Sequence, residues 1–423
     1  MKINAKFTFL FVFVFGFGFQ SCLKDSCERE VTYLEYIPIY KTLGDIRQDI
    51  TREDPKELEN PGKIYFYNDY VFINEIRKGV HVIDNSNPSS PVNIGFIGIP
   101  GNVDIAIRDG IMYADNFIDL LSIDISDPSY PELVERTEDA FQPLYNNTET
   151  GEILVYYDTE ERTEMVSCDN FNNGWRGGGN VFLTADIANF DSNSESIGGG
   201  GDGTGGSMAR FTLYDDYLYM VDEYSLKVFD ISTPTEPAFA NTVSIGWGIE
   251  TIFPYQDKLF IGSQSGMFIY DNSNPVSPTQ LSAFAHATAC DPVYVKDNYA
   301  YVTLRDGTPC DGYTNELDLI DISNLTNPKL VETFKMDNPH GLSIDGNSLF
   351  LCEGIYGLKT FDIEDPKKLG NHKIDHQKDL HAYDAIAVPG QENVLLVIGD
   401  DGFYQYDYSN PKNLKLISKI PVK

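Results

Sequence analysis

The chain has 423 residues, 42% of them apolar and 13% aromatic, which is ample for a large packed core. Its formal net charge is −33, from 31 basic and 64 acidic residues. A field of that sign repels phosphate backbones and argues against nucleic-acid partners, while it favours solubility and cationic partners.

Lys2 and Lys6 precede FTFLFVFVFGFGF, a Phe-rich run of 13 residues, and then Gln20, Ser21 and Cys22. A basic start, a short apolar run and a small residue ahead of a Cys read as a secretion signal over 1–21. The run is too short for a hydrocarbon core of about 30 Å. The segment resembles a bacterial lipoprotein signal with Cys22 as the lipidated residue; Phe19 and Gln20 stand where Leu and a small residue are usual. The resemblance implies export and a membrane anchor of diacylglycerol plus an amide-linked chain, because one acyl chain alone binds only marginally. It places the protein at the outer membrane, facing the periplasm or the cell surface. Residues 22–60 read as an anchor stalk and N-terminal segment. Within them CLKDSCERE, with Lys24, Asp25 and Glu28, resembles the charged export tags of surface-displayed lipoproteins. Export permits disulfides. Cys27, Cys168, Cys290, Cys310 and Cys352 remain beside Cys22, and an odd number leaves at least one unpaired.

From residue 61 onward one pattern returns. HVIDNSNPSSP (81–91) has relatives in SIDISDPSYP (122–131), VFDISTPTEP (228–237), IYDNSNPVSP (269–278), LIDISNLTNP (319–328), TFDIEDPKKL (360–369) and QYDYSNPKNL (405–414). The aligned aspartates are Asp84, Asp124, Asp230, Asp271, Asp321, Asp362 and Asp407, spaced by 40, 106, 41, 50, 41 and 45 residues. A period near 40–45 suits four short strands and their turns. In 291–334, VYV is a first strand, KDN a tight turn, YAYVTL a second strand, ELDLID a third and KLVETF a fourth. The Asp is expected to accept backbone N–H groups two residues on, as an Asx-turn, and the Pro to stop the third strand. Four-stranded sheets bury both faces only by stacking. The expected fold is therefore all-β, a seven-bladed β-propeller, with blades 1–2 in 61–136 and blades 3–7 in 209–423. A right-handed β-solenoid is the rival; it has a shorter period and lacks hairpin turns such as YNDY (67–70) or RDG (108–110).

The repeats VIDNSNPSSP, SIDISDPSYP, VFDISTPTEP and LIDISNLTNP resemble the LVIVD repeat of bacterial surface and periplasmic propellers. The resemblance covers 61–423 apart from one insertion. It implies the propeller and no particular activity. In the last two copies Leu369 and Leu414 replace the second Pro.

The 106-residue spacing leaves an insertion over 137–208, between blades two and three. It contains FNNGWRGGGN and SNSESIGGGGDGTGGS, Gly- and Ser-rich stretches with the composition of flexible linkers. Between them VFLTADIANF is apolar enough to dock. An insertion this long is more often functional or disordered than merely structural. It emerges on the face that also carries the second-to-third strand loops. Cys290 and Cys310 lie at the two ends of one hairpin on that face and are expected to form a disulfide, with two thiols as the alternative. Cys168 and Cys352 also reach the face, so their pairing is a second candidate.

The starts of the first strands place Lys63, Asp104, Arg210, Glu250, Asp291, His340 and Asp384 around the channel mouth. They form either a polar pocket for a cation or small ligand, or the polar rim of a water-filled channel. The second-to-third loops add Glu75, Asp115, Asp119, Asp222, Glu223, Glu353, Asp400 and Asp401. Such oxygen donors suit Ca²⁺, as does DSNSE (191–195), which lacks the Gly and terminal Glu of a calcium loop. No cofactor is otherwise indicated. His372, His376 and His381 in HKIDHQKDLH lack further ligands at zinc spacing. There is no H-E-x-x-H, G-x-S-x-G or P-loop, and GSQSG (262–266) has Gln264 at the nucleophile position. Tyr299, Tyr301 and Phe350 alternate within strands as packing residues. Trp175 and Trp247 stand apart, and Trp175, close to glycines, is either an anchor for a partner or glycan or the residue that docks the insertion onto the propeller. The expected function is a lipid-anchored binding scaffold for protein or glycan rather than an enzyme. The alternatives are a hydrolase or lyase using the channel-mouth carboxylates, and a purely structural or adhesion component.

Overall fold

A computed structural model describes residues 28–147, 149–167, 204–207, 209–285, 292–305, 314–388 and 393–423. The signal segment, Cys22, Trp175, Cys168, Cys290, Cys310, Asp291 and the DSNSE stretch lie outside the described residues. Two compact units are separated, one comprising residues 1–37 with 157–183 and one comprising 38–156 with 184–423.

The larger unit is built from antiparallel meanders of four strands. Sheet I runs Pro61–Tyr67, Tyr70–Glu75, Gly79–Asp84 and Val92–Gly98. Sheets II to VII follow over 105–137, 211–244, 249–285, 293–335, 342–377 and 384–421, each from one continuous stretch of chain. The first strand of each sheet packs against the first strand of the next, and Pro61–Tyr67 packs against Val394–Gly399 of sheet VII. Apolar clusters fill the spaces between neighbours. One joins Ile64, Phe66 and Ile73 of sheet I to Ile386, Leu396 and Phe403 of sheet VII. The inner three strands are buried on both faces, whereas outer strands such as Ala238–Ser244 alternate between exposed and half-buried residues.

Each turn in the repeat has the same physics. The first-to-second hairpins carry a residue with positive φ, among them Asn68 (55°), Asp109 (49°), Asp215 (47°) and Asp297 (55°), types that tolerate the left-handed region. Each third strand begins close beside the fourth. At Gly79 (φ 145°) a Cβ would lie 2.0 Å from the Ile97 carbonyl oxygen, and at Gly266 (φ 154°) 2.2 Å from that of Phe284. Only glycine fits there.

All the motif aspartates form the expected turn. The N–H groups of Ser86, Ser126, Ser232, Ser273, Ser323, Glu364 and Ser409 donate to Asp84, Asp124, Asp230, Asp271, Asp321, Asp362 and Asp407, at 2.7–3.1 Å. The next residue is buried and its N–H closes on the hairpin turn of the same sheet, as Asn85 does on Asp69 O (2.7 Å) and Ile125 on Gly110 O (2.8 Å). Just before each Asp the pairing with the fourth strand slips by one residue, for example between Val82 and Ile83 or Ile269 and Tyr270. A bulge at this point bends the exposed outer strand and blunts its edge.

The segment before residue 61, expected as a stalk, is structured from residue 28. Leu43–Ile46 form a one-turn helix capped by Thr42 and Asp45, and Thr51–Glu53 add a strand to the outer edge of sheet I. Ile46 and Leu58 are fully buried, so apolar burial draws this segment into the fold. The smaller unit contains parts of strands Glu28–Thr42 and Glu152–Ser167, which are neighbours in a three-stranded sheet. Within it Glu35 pairs with Arg162, and Tyr36 meets Tyr157 edge to face at 6.5 Å. The N-terminal segment and the insertion thus share a sheet, a pairing across more than 100 residues that no local pattern announces. Among the described residues, no helix is long and apolar enough to cross a membrane.

Candidate functional site

Of the first-strand residues singled out from the sequence, Lys63, Asp104, Arg210, Glu250, His340 and Asp384 are described. Lys63 and Asp104 are 3% and 2% exposed and form an ion pair at 2.6 Å. The same Asp104 carboxylate accepts the N–H groups of Arg210 (2.6 Å), Phe211 (3.1 Å) and Ile105 (2.8 Å). Sheets I, II and III are joined there by one buried carboxylate. Burial lowers the Lys63 pKa, and the charge of Asp104 opposes the shift. His340 is buried, its Nε2 lies 2.8 Å from the acceptor Asn338 Oδ1, and it lies beside Arg305 and Tyr383. Asp384 is fully buried on sheet VII and Glu250 is half-buried on sheet IV. Thus Lys63, Asp104 and Arg210 come together, and several of the set are buried where a solvent-facing rim was expected.

The chain itself occupies the space between the first strands. Thr204–Gly205 pair antiparallel with Phe66 and Tyr65 on the inner edge of sheet I. Ser207, fully buried, accepts the Leu342 N–H of sheet VI at 2.8 Å, and the Ala209 carbonyl accepts the Ile252 N–H of sheet IV at 3.0 Å. This end of the insertion therefore satisfies inner-edge N–H groups on three different sheets. An innermost strand otherwise leaves one row of peptide groups unpaired.

The loop carboxylates are mostly structural. Glu75 accepts Asn60 N–H (2.6 Å) and Glu59 N–H (3.2 Å) and meets His81 (3.1 Å); burial alone raises its pKa, but these bonds bring it below the ordinary value. Asp115 accepts Val103 and Asp104 N–H groups (2.8 and 2.9 Å). Its pKa is nonetheless pushed up to about 6 by burial, which outweighs those bonds. Asp119 accepts Asp139 N–H and pairs with Arg47 and Arg136. Glu353 accepts Asp337 N–H (3.0 Å) and pairs with Lys359, and Asp401 accepts His381 N–H (3.0 Å). Asp222 accepts Tyr224 and Ser225 N–H groups (2.9 and 2.7 Å). Six of the eight loop carboxylates thus accept backbone N–H groups, in most cases those of the strand connection entering the sheet. Among the described residues, no three His, Cys, Asp or Glu side chains are grouped to hold a metal ion. The histidines do not converge either: His376 meets the Tyr356 carbonyl (2.8 Å), whereas His381 meets Asp400 (2.8 Å). Cys352 is a buried free thiol rather than a partner for Cys168. It packs with Phe350, Leu358 and Ala382, and burial raises its pKa well above the ordinary thiol value.

Glu223 differs from its neighbours. Like Asp400, it accepts no backbone N–H among the described residues. Its carboxylate instead lies within reach of the Tyr224 hydroxyl and the Trp247 indole N–H; burial raises its pKa, and these two groups and the Arg210 charge oppose the rise. Tyr224 and Trp247 are 54% and 51% exposed. On the same edge of the meanders, Ile355 and Tyr356 project from the second-to-third loop of sheet VI. Trp247 and Glu223 are each visible in the sequence, but no spacing rule links a loop to the strand connection 24 residues later.

A family model described as the LVIVD repeat matches residues 62–97, 103–139, 205–244 and 288–336. A search of curated protein sequences finds no match. Among solved structures, the chain is similar to a protein from Lactobacillus plantarum (TM-score 0.54, 11% identity, 86% of this chain and 97% of that one). It is equally similar to the periplasmic gluconolactonase of Pseudomonas aeruginosa (TM-score 0.54, 10% identity, 86% and 97%). At such identities the likeness concerns the fold alone. With the repeated Asx-turns and four-stranded sheets already described, these matches show that the chain carries LVIVD repeats on a fold like that of β-propeller proteins.

Proposed function

We propose that this chain is a seven-bladed propeller, lipid-anchored through Cys22 in the cell envelope, that binds protein or glycan on the face bearing the insertion. The observation carrying the proposal is the division of labour on that face. Most of its carboxylates are engaged in holding strand connections, residues 204–207 and 209 bond the inner edges of sheets I, IV and VI, and the exposed groups include the large, partly apolar Tyr224, Trp247, Ile355 and Tyr356. Fixed aromatic side chains exposed on a rigid scaffold are the usual anchors of recognition. The blade count is supported by sheets I to VII, and the anchor by the Lys–Phe-rich–Cys pattern of 1–22. An envelope location agrees with the periplasmic source of one structural neighbour. Against a hydrolase or lyase at the channel mouth stands the consumption of Lys63 and Asp104 by each other and by backbone N–H groups.

The test is capture of envelope components by the anchored protein. Replacing Tyr224, Trp247 and Tyr356 by Ser should abolish capture. Tyr130→Ser, an exposed aromatic at the motif-turn end of sheet II, should leave it unchanged. Equal loss in both variants would contradict the assignment of the face. Cys22→Ala should release the protein from the membrane fraction; unchanged sedimentation would contradict the anchor.

A further inference from the structure

Tyr224 and Trp247 are exposed yet held in place by backbone bonds. The Tyr224 carbonyl accepts the N–H groups of Ile245 (3.0 Å) and Gly246 (3.3 Å), and the Glu223 carbonyl accepts that of Ile249 (3.2 Å). Asp222 fixes the other side of the loop through Tyr224 and Ser225. Gly248, at φ 72°, lets the connection turn against Gln264, whose side-chain carbons would lie 3.0–3.1 Å from any Cβ there; Gln264 N–H in turn bonds Gly248 O (2.9 Å). Two loops that belong to different strand connections are thereby locked into one surface. It presents a phenol, an indole with its N–H, and a carboxylate that no backbone group claims.

These are the groups that complement a sugar. An aromatic face covers the C–H face of a pyranose, and a carboxylate, here held by the indole N–H, accepts from vicinal hydroxyls. The same set offers no cation for an anionic ligand, and a chain of net charge −33 repels one. We propose that Glu223, Tyr224 and Trp247 form a binding site for a neutral pyranose unit of a glycan chain. The proposal rests on the assignment of recognition to this face and names the ligand class within it. Prior fixation of the two backbone segments that carry the rings lowers the ordering cost of binding.

The experiment uses the full chain with Trp175→Phe, so that Trp247, the other of the two tryptophans, is the sole indole reporter. Neutral hexaoses of glucose, mannose and xylose are titrated against Trp247 fluorescence and by calorimetry, with hexagalacturonate as the anionic control. At least one neutral hexaose should bind and shift the Trp247 emission, and the anionic control should not bind. Trp247→Ala and Glu223→Gln, judged folded by unchanged thermal unfolding, should weaken the calorimetric affinity at least tenfold. Absence of binding by every neutral hexaose, or affinity unchanged in Trp247→Ala, would overturn the proposal. If the sugars fail while envelope proteins are still captured through Tyr224 and Trp247, the face is correct and the ligand class is wrong. If capture does not depend on these residues at all, both fail together.

Discussion

At the scale of single residues, the motif aspartate is a turn former. Hydrogen bonds from the residue two places on, through N–H and hydroxyl, lower the pKa of Asp84, Asp230, Asp271, Asp321 and Asp407 below the ordinary value. A depressed folded pKa contributes stability that is complete above the unfolded value near 3.9 and lost as pH falls through the folded one. Urea midpoints of the wild type should therefore drop between pH 6 and pH 3. Replacing Asp230 and Asp321 by Asn, which keeps an acceptor for the turn, should make the drop smaller. Asp115 has the opposite sign. Its raised pKa makes stability fall as pH rises from about 4 to about 6, so Asp115→Asn should gain on the wild type over that interval in the same titrations. Lys63→Met leaves Asp104 buried without its cation and should cost about 3–5 kcal/mol in urea unfolding; a loss below 1 kcal/mol would show that the backbone N–H groups alone hold Asp104. The turn role of Asp was legible because it depends on neighbours in sequence. The Lys63–Asp104–Arg210 contact depends on three sheets meeting, and no local pattern encodes it.

At the scale of elements, the second strands of sheets II and III are tied to the next sheet's motif. Tyr113 OH donates to Pro234 O (3.0 Å), and Tyr219 OH reaches Asn272 Oδ1 (3.1 Å) and Pro275 O (2.9 Å). The motif Pro is thus more than a strand stop: its carbonyl receives the neighbouring sheet. Tyr219→Phe keeps the packing and should lower stability by about 1–2 kcal/mol through the lost bonds. The final residues of the insertion play a comparable part inside the channel. Ser207→Ala strands the Leu342 N–H and should cost about 1–3 kcal/mol, measured by chemical denaturation; no change would mean water replaces the hydroxyl. The strands and their turns were readable from period-2 alternation and Asn/Asp/Gly turns. The segment 204–209 was not, since ThrGlyGlySer has linker composition and only the free inner edges of sheets I, IV and VI give it a place.

At the scale of the molecule, sheets I and VII meet without sharing a strand. Leu58 bridges Val422 in parallel, Lys423 N–H bonds Leu58 O (3.0 Å), and Gln405 exchanges amide bonds with Asn85 (2.7 and 3.0 Å). Sheet I with the residues just before it and the last strand of sheet VII are thus joined beside an apolar interface, which a sequence without a strand borrowed from the other end cannot reveal. The repeats build that scaffold, and recognition is assigned to the places where they depart from one another. Hydrogen exchange on the free and ligand-bound protein tests this claim most directly. The amides of Ile252 and Leu342 should already be protected in the free protein by Ala209 and Ser207 and should not change, while 222–225 and 245–249 slow on binding. Rapid exchange at the inner edges that becomes slow only with ligand, and no change at 222–225 and 245–249, would place the ligand in the channel and contradict the account.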